Sequence, residues 1–371
     1  MVLEFRPELF LAHLKKMNFL ISGSLHGRAT DCVRFEFSNS FIKLSTNNLK
    51  IASQFIIPRQ NDSLIYTDVS FLVSGKLFYE LLSKLPSGDL VSLRIQDNNI
   101  LISSSSGDYN LTSPSMDGFD FPEIPVGGSI YRMTESDLSY IIAHVEDFTS
   151  NDDTFTSLQG VLFSQRENTL HVVATDRTKL GMVEFPAECE IPRSSIVPIG
   201  FLTSIKHLLG SSDSNVTLGF AEDRVYLKNE NFVAFSSLID QVFPNYLPVI
   251  NTAESLGISL PVKALRDSLL RMSCLADNHK PLFELLFDNN TLTLTSQNPN
   301  SSGKEVLTLS KNKQTVNHPP FSLVLSGMSL INILDFYSSD CVAFLNTNKK
   351  PVVFKSSEHP SLTYVQTPFF K

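Results

Sequence analysis

The chain has 371 residues, more than one ordinary domain needs and enough for two or three. With 42% hydrophobic and 18% charged residues it can build substantial cores, which excludes a disordered polymer. The net charge of −8 excludes a protein basic over its whole surface, but not a local basic face, because fields are screened over about 10 Å at ordinary salt.

The opening MVLEFRPELF has no basic stretch ahead of an apolar core, so it does not read as a signal peptide. No apolar run approaches the length that spans a bilayer. Cys32, Cys189, Cys274 and Cys341 are far apart and form no C-x-x-C pair, so neither a disulfide framework nor a zinc site is expected, and a reducing cytoplasm is the expected compartment. Pro7 opens a helix predicted over 7–19 that carries His13, Lys15 and Lys16. Val33-Arg34-Phe35 alternates as a half-buried strand does. Leu77, Leu81, Leu82 and Leu85 recur at helical spacing, with Lys76 and Lys84 among them. Val91 and Leu93, the polar turn Asp97-Asn98-Asn99 and a strand from Ile100 read as a hairpin, and FDFPEIP (119–125) closes the set.

The same succession then returns. A helix over 134–148 follows Thr134 or Ser136 as its cap, and the strand Val161-Leu162-Phe163 comes next. Leu202, Ile205, Leu208 and Leu209 mark a helix with Lys206 and His207. Val216 and Leu218, the turn Glu222-Asp223, a strand from Val225 and QVFPNYLPV (241–249) complete the second set. The third runs from a helix over 262–276 behind Pro261, with Lys263, Arg266 and Arg271, through Leu285-Leu286-Phe287. A helix carrying Leu330, Ile333, Leu334 and Tyr337 precedes the hairpin of Val342, Phe344, Asn348-Lys349-Lys350 and Val352, and the chain ends YVQTPFFK (364–371).

The strand phenylalanines Phe35, Phe163 and Phe287 are 128 and 124 positions apart; Pro122, Pro244 and Pro368 are 122 and 124 apart. Several element types agree on one period, so the expectation is an α+β protein of three similar domains, 1–125, 126–250 and 251–371.

Catalytic signatures are missing. The chain has no G-x-S-x-G, P-loop, H-E-x-x-H or G-x-G-x-x-G, and none of its eight histidines pairs closely with another at metal-ligand spacing. Asp152-Asp153 could bind a cation, but a solvated turn is the simpler reading, and Asp176 reads as a turn organiser. No catalytic residue, metal or cofactor is expected.

The segment HVVATDRTKLGMVEF (171–185) resembles the most characteristic stretch of bacterial β sliding clamps, the DNA polymerase III β subunits. There Val-Ala-Thr-Asp is followed by Gly-His-Arg-Leu-Ala; here Val173, Ala174, Thr175, Asp176 and Leu180 keep the pattern, and Arg177, Thr178 and Lys179 replace Gly-His-Arg. Leu158-Gln159-Gly160-Val161-Leu162-Phe163 resembles the family's Leu-x-Gly-x-x-Phe strand. FPNY (243–246) resembles its Phe-Pro-Asp-Tyr, and YVQTPFFK its Tyr-Val-x-Met-Pro-Met ending.

The resemblance implies a DNA clamp fold and a head-to-tail homodimeric ring, with helices lining the hole and sheets outside. It implies a non-catalytic processivity factor around duplex DNA, tethering the polymerase III catalytic subunit and the clamp loader through short linear motifs. By position, it implies a partner-peptide pocket at Leu158, Thr175, Arg177, Thr178, Lys179, Leu180, Pro244, Val249, Val365, Thr367, Pro368 and Phe369. It implies a dimer joint at Tyr109, Leu111, Cys274 and Leu275. Sequence-independent DNA contact is expected from Lys15, Lys16, Arg28, Lys76, Lys84, Lys206, Lys263, Arg266 and Arg271, of which Arg28 matches a family loop arginine. Thr156 and Ser157 stand where the family has two tyrosines, and Pro248 stands where it has an arginine. A divergent paralogue, or a repeat-built interaction scaffold outside main replication, is the alternative reading.

Overall fold

The computed structural model describes residues 2–21, 29–59, 69–96, 98–125, 127–189, 191, 193–210, 213–251, 256–275, 281–288, 290–298, 300–309, 319–339, 341–345 and 351–369. The chain divides into two compact units, Met1–Ile142 with Glu188–Asp240, and Ala143–Ala187 with Gln241–Lys371.

The alternation read from the sequence becomes strand in each repeat. Cys32–Phe37, Gly160–Arg166 and Leu282–Asp288 are β-strands, and their phenylalanines Phe35, Phe163 and Phe287 are 0%, 1% and 4% exposed. The expected helices form as Glu8–Met17, Glu135–Val145 and Val262–Ser273, and as the shorter Gly75–Leu82, Ile199–Lys206 and Gly327–Leu334. Of the two candidate caps for the Glu135 helix, Thr134 takes the role. Its hydroxyl accepts from Asp137 N at 3.0 Å, while the Asp137 carboxylate accepts from Thr134 N at 3.0 Å, a reciprocal cap that satisfies donors left over at a helix start.

In the first unit, four strands run in the order Val2–Phe5, Val91–Gln96, Asn99–Ser104, Gly107–Thr112. A second sheet of eight strands joins elements of two repeats, because Ile51–Pro58 pairs antiparallel with Phe232–Ser237. The core of this unit is built on phenylalanine. The Phe35 ring meets those of Phe10, Phe71 and Phe78 at centroid distances of 5.4, 5.1 and 5.3 Å, in edge and stacked arrangements that aromatic pairs favour.

In the second unit the corresponding junction is Lys179–Pro186 against Leu362–Gln366, again antiparallel. Beyond it lie Val352–Lys355, Cys341–Leu345 and Leu256–Leu260 in order. A separate sheet runs Ser301–Thr308, Thr291–Asn298, Leu282–Asp288, Phe321–Ser326. Tyr364, fully buried, stacks on Phe148 and Phe336, both at 5.1 Å. Among the described residues, no helix is long and apolar enough to cross a membrane.

The helix Gly327–Leu334 starts hard against the strand beside it. A Cβ on Gly327 would lie 1.9 Å from Cε2 of the fully buried Phe283. Gly327→Ala is therefore expected to lower stability by about 1–3 kcal/mol, the usual cost of overpacking, read as a fall in the thermal midpoint.

Candidate functional site

The candidate site is built on one tight turn. The strands Thr169–Thr175 and Lys179–Pro186 pair so that Thr175 lies opposite Leu180. Asp176 organises the link, as its position suggested: its Oδ1 accepts from Thr178 N, Thr178 Oγ1 and Lys179 N, each at 2.8 Å. Thr175 Oγ1 donates to the Lys179 carbonyl at 2.7 Å and accepts from Arg177 N at 3.2 Å. These bonds hold Arg177 at φ +80, a left-handed conformation that costs a side-chain-bearing residue energy unless its surroundings impose it.

On one side of the turn, Leu180 pairs with Val365, and Thr367 N extends the ladder to the Thr178 carbonyl at 2.8 Å. On the other side, Pro244, Asn245 and Tyr246 lead into the short helix Leu247–Ile250. Together these segments and Pro351 enclose a cavity of about 170 Å³. Leu180 and Val365, 4% and 1% exposed, are nearly enclosed, Val249 is half-buried, and Thr175, Thr178 and Thr367 are the polar neighbours. The arrangement suits an apolar side chain in the depth and a peptide backbone at the edge.

The cavity is smaller than the wall read from the sequence. Thr175, Arg177, Thr178, Lys179, Leu180, Pro244, Val249, Val365 and Thr367 line it; Leu158, Pro368 and Phe369 do not. Leu158 lies in the 3-10 turn Thr156–Gln159 and is 2% exposed. Phe369 is drawn off by its backbone, whose N–H donates to the Val324 carbonyl at 2.8 Å. Asn245, Tyr246 and Pro351 line the cavity and were not selected from the sequence, although Tyr246 closes the FPNY motif.

The rim cations are engaged. The Arg177 guanidinium lies 4.5 Å from the centre of the Phe155 ring. Lys179 donates to the Asp147 carbonyl, and its ammonium is 5.5 Å from the centre of the Phe148 ring. Phe155 is a further feature the sequence reading missed, since nothing in local spacing brings it to Arg177.

The cations expected to meet DNA divide by environment. Lys15, Lys76 and Lys263 are exposed on their helices. Lys206 ends its helix, where a positive charge also favours the helix dipole. Lys16 donates to the Leu208 carbonyl at 2.9 Å. Lys84, expected on a helix, lies past the end of Gly75–Leu82 because Ser83 caps it. Arg266 is ion-paired with Asp335, and Arg271 with Glu305 at 2.7 Å. Arg271 in turn holds the Glu305 carboxyl below the usual carboxylate range, with help from Ser268. Burial disfavours a charge on His13, pushing its imidazole below the ordinary value, and its ring packs on Phe55 at 5.4 Å. Arg28 lies outside the described residues.

Tyr109 and Leu111 are on Gly107–Thr112, an edge strand, and both are half-buried. Cys274 and Leu275 follow the helix Val262–Ser273; Cys274 is exposed, and the Leu275 carbonyl accepts from Ser301 Oγ at 2.8 Å on another edge strand. Among the described residues no group of three His, Cys, Asp or Glu could hold a metal ion. Asp152 caps its own loop, accepting from Thr154 N at 2.9 Å.

Comparison with known proteins fits this geometry. A family model described as DNA polymerase III beta subunit, central domain, matches residues 132–245. The beta sliding clamp of Buchnera aphidicola subsp. Acyrthosiphon pisum is 22% identical over 366 residues, covering 96% of this chain and 96% of that one. The beta sliding clamp of Vibrio cholerae is 23% identical over 303 residues, 80% of this chain and 81% of the relative. The chain is thus similar to bacterial DNA polymerase III β subunits, by the central-domain model over 132–245 and by beta sliding clamps along nearly its whole length. Its fold matches the crystal structure of that subunit from Pseudomonas aeruginosa with a TM-score of 0.92 at 18% identity, over 100% of both chains. The DNA polymerase sliding clamp from Bacillus subtilis matches with a TM-score of 0.91 at 16% identity, over 100% of this chain and 99% of the other. A β-subunit fold is thus kept while most side chains have changed, which is the pattern expected when burial alternation rather than residue identity specifies the strands.

Proposed function

We infer that the chain is a DNA sliding clamp, a non-catalytic cytoplasmic subunit that encircles duplex DNA and tethers a polymerase for processive synthesis. The observation that carries the reading is the match to β sliding clamps along 96% of both chains, and the cavity lined by Thr175, Leu180 and Val365 supports it. We read three domains, 1–125, 126–250 and 251–371, and a homodimer closed head-to-tail through Tyr109 and Leu111 of one copy and Cys274 and Leu275 of the next. The cavity takes short linear motifs of the polymerase catalytic subunit and the clamp loader. Apolar anchors enter beside Leu180 and Val365, and the threonines orient the backbone.

DNA contact in this reading is weak, because topology retains the ring and the cations need only guide it. Lys15, Lys76, Lys206 and Lys263 supply the charge, while Arg266 and Arg271 must leave a carboxylate to reach a phosphate. Replacing Lys15, Lys76 and Lys206 by Ala is expected to flatten the salt dependence of DNA binding, reducing the log–log slope by about 2–3 for three lost phosphate contacts. Processive primer extension should fall in parallel. An unchanged slope would count against these helices as the DNA face, and wild-type protein giving no stimulation of its own organism's polymerase would overturn the clamp reading.

A further inference from the structure

Beneath the cavity sits a hydrogen-bonded cluster that the clamp reading does not use. His171, on Thr169–Thr175, is 8% exposed, and Tyr246, a wall of the cavity, is 5% exposed. Their Nδ1 and hydroxyl oxygen are 2.8 Å apart. Arg166 Nε donates to the same hydroxyl at 3.3 Å, with its guanidinium 5.9 Å from the Tyr246 ring centre. His171 Nε2 faces Glu184 Oε1 at 3.5 Å.

The donors and acceptors favour one protonation pattern, in which every group has a complementary partner. An arginine can only donate, so the Tyr246 oxygen accepts from Arg166 and its own proton is free to go to His171. His171 Nδ1 is then the acceptor, which leaves the imidazole neutral with its proton on Nε2, toward Glu184. Tyr246 also anchors the rest of the wall, because its carbonyl accepts from Val249 N at 3.0 Å and Ile250 N at 3.3 Å. Fixing the Tyr246 hydroxyl therefore fixes the start of the helix that presents Val249 to the cavity.

We propose that His171 is a positioning residue for partner binding, holding the Tyr246 wall of the cavity by accepting its hydroxyl proton. The proposal rests on the reading of the cavity as a peptide site. A proton on Nδ1 would set donor against donor, and Tyr246 would have to turn its hydroxyl away. The charged groups facing His171 are Arg166 on the strand before it and Glu184, its register partner on the strand after it; Ser164 is its neutral partner on the first side. Burial pushes the imidazole below its ordinary value, opposed by Glu184 and reinforced by Arg166. The neutral, wall-holding form therefore prevails at neutral pH. It is lost as pH falls through a value under 6.5.

The test measures the affinity of the full chain for a fluorescein-labelled Gln-Leu-Ser-Leu-Phe peptide by anisotropy between pH 5 and pH 8. Wild-type affinity is expected to fall severalfold toward pH 5, as protonation of Nδ1 removes the acceptor for the Tyr246 hydroxyl. His171→Gln keeps an acceptor but cannot be protonated, so its affinity should be within a few-fold of wild type at pH 8 and show a flat profile. Tyr246→Phe should bind more weakly at every pH, also with a flat profile. A His171→Gln profile that falls as steeply as wild type overturns the proposal while leaving the peptide site intact. Wild-type protein that fails to bind at pH 8 overturns the reading of the cavity and the proposal with it. A wild-type chain that melts below the assay temperature at pH 5 also overturns it, because the loss would then belong to the fold.

Discussion

Val249→Asp is expected to weaken partner-peptide binding by about 30- to 1000-fold, the 2–4 kcal/mol typical of a hot spot, while leaving the fold intact. Val249 is half-buried on a four-residue helix, so a carboxylate there keeps access to water in the free protein. A peptide that seats an apolar anchor beside Leu180 and Val365 would strip that water and leave the charge unpaired, which is costly. The neighbouring cations cannot compensate without giving up their own partners: Arg177 lies over Phe155, and Lys179 is bound to the Asp147 carbonyl. Anisotropy with the same organism's polymerase peptide, beside a thermal melt, separates the two effects. Undiminished binding would move the peptide site away from this cavity.

The same cavity marks how far the sequence could be read. Its wall was legible because family-like residues recur in VATDRTKL, FPNY and YVQTP, each a short stretch whose local geometry follows from its own residues. The Asp176 turn is of this kind, and it has an internal echo. Asn48 Oδ1 accepts from Lys50 N at 3.0 Å and Ile51 N at 2.7 Å, and Leu49 repeats the left-handed backbone of Arg177 at φ +71. Ala52 pairs with Phe235 as Leu180 does with Val365. A cavity of about 260 Å³ lies there too, but its walls are already tied: Asn47 donates to the Asp120 carbonyl at 2.6 Å, and Arg224 pairs with Asp223 at 3.4 Å.

Pairings between distant parts of the chain were not legible. Arg266 and Asp335 are 69 positions apart, and Arg271 and Glu305 are 34 apart, so helical spacing marked the arginines as cations without revealing that each is neutralised. The Phe155–Arg177 contact and the His171–Tyr246 bond, 75 positions apart, are of the same kind. Phe369 was placed on the cavity by its motif, yet the ladder bond to Val324 sets its backbone elsewhere. Periodic burial is written into every residue of a strand, whereas a single long-range partner leaves no trace in the spacing around either member.

Leu111→Asp combined with Leu275→Asp is expected to convert a dimer into monomers. Among the described residues, Gly107–Thr112 and Ser301–Thr308 are both sheet edges, each with a row of backbone donors and acceptors that no described strand takes up. Such edges pair readily with another chain unless blocked. Leu275 stands against the second of them: a Cβ on Gly303 would lie 2.7 Å from Leu275 Cδ1. Leu111 lies on the first, opposite Ile100. A joint that adds one edge strand to the other is heterologous, and it closes after two copies only if the rotation allows it. An unpaired carboxylate buried at such a joint costs about 3–5 kcal/mol, so two raise the dissociation constant by about four orders of magnitude or more. Both leucines are only half-buried in the single chain, so the monomer should stay folded. Sedimentation velocity at micromolar protein reads the result directly. A species with the mass of one chain and an unchanged melting profile is expected, and a double variant still sedimenting as the wild type would place the joint on other strands.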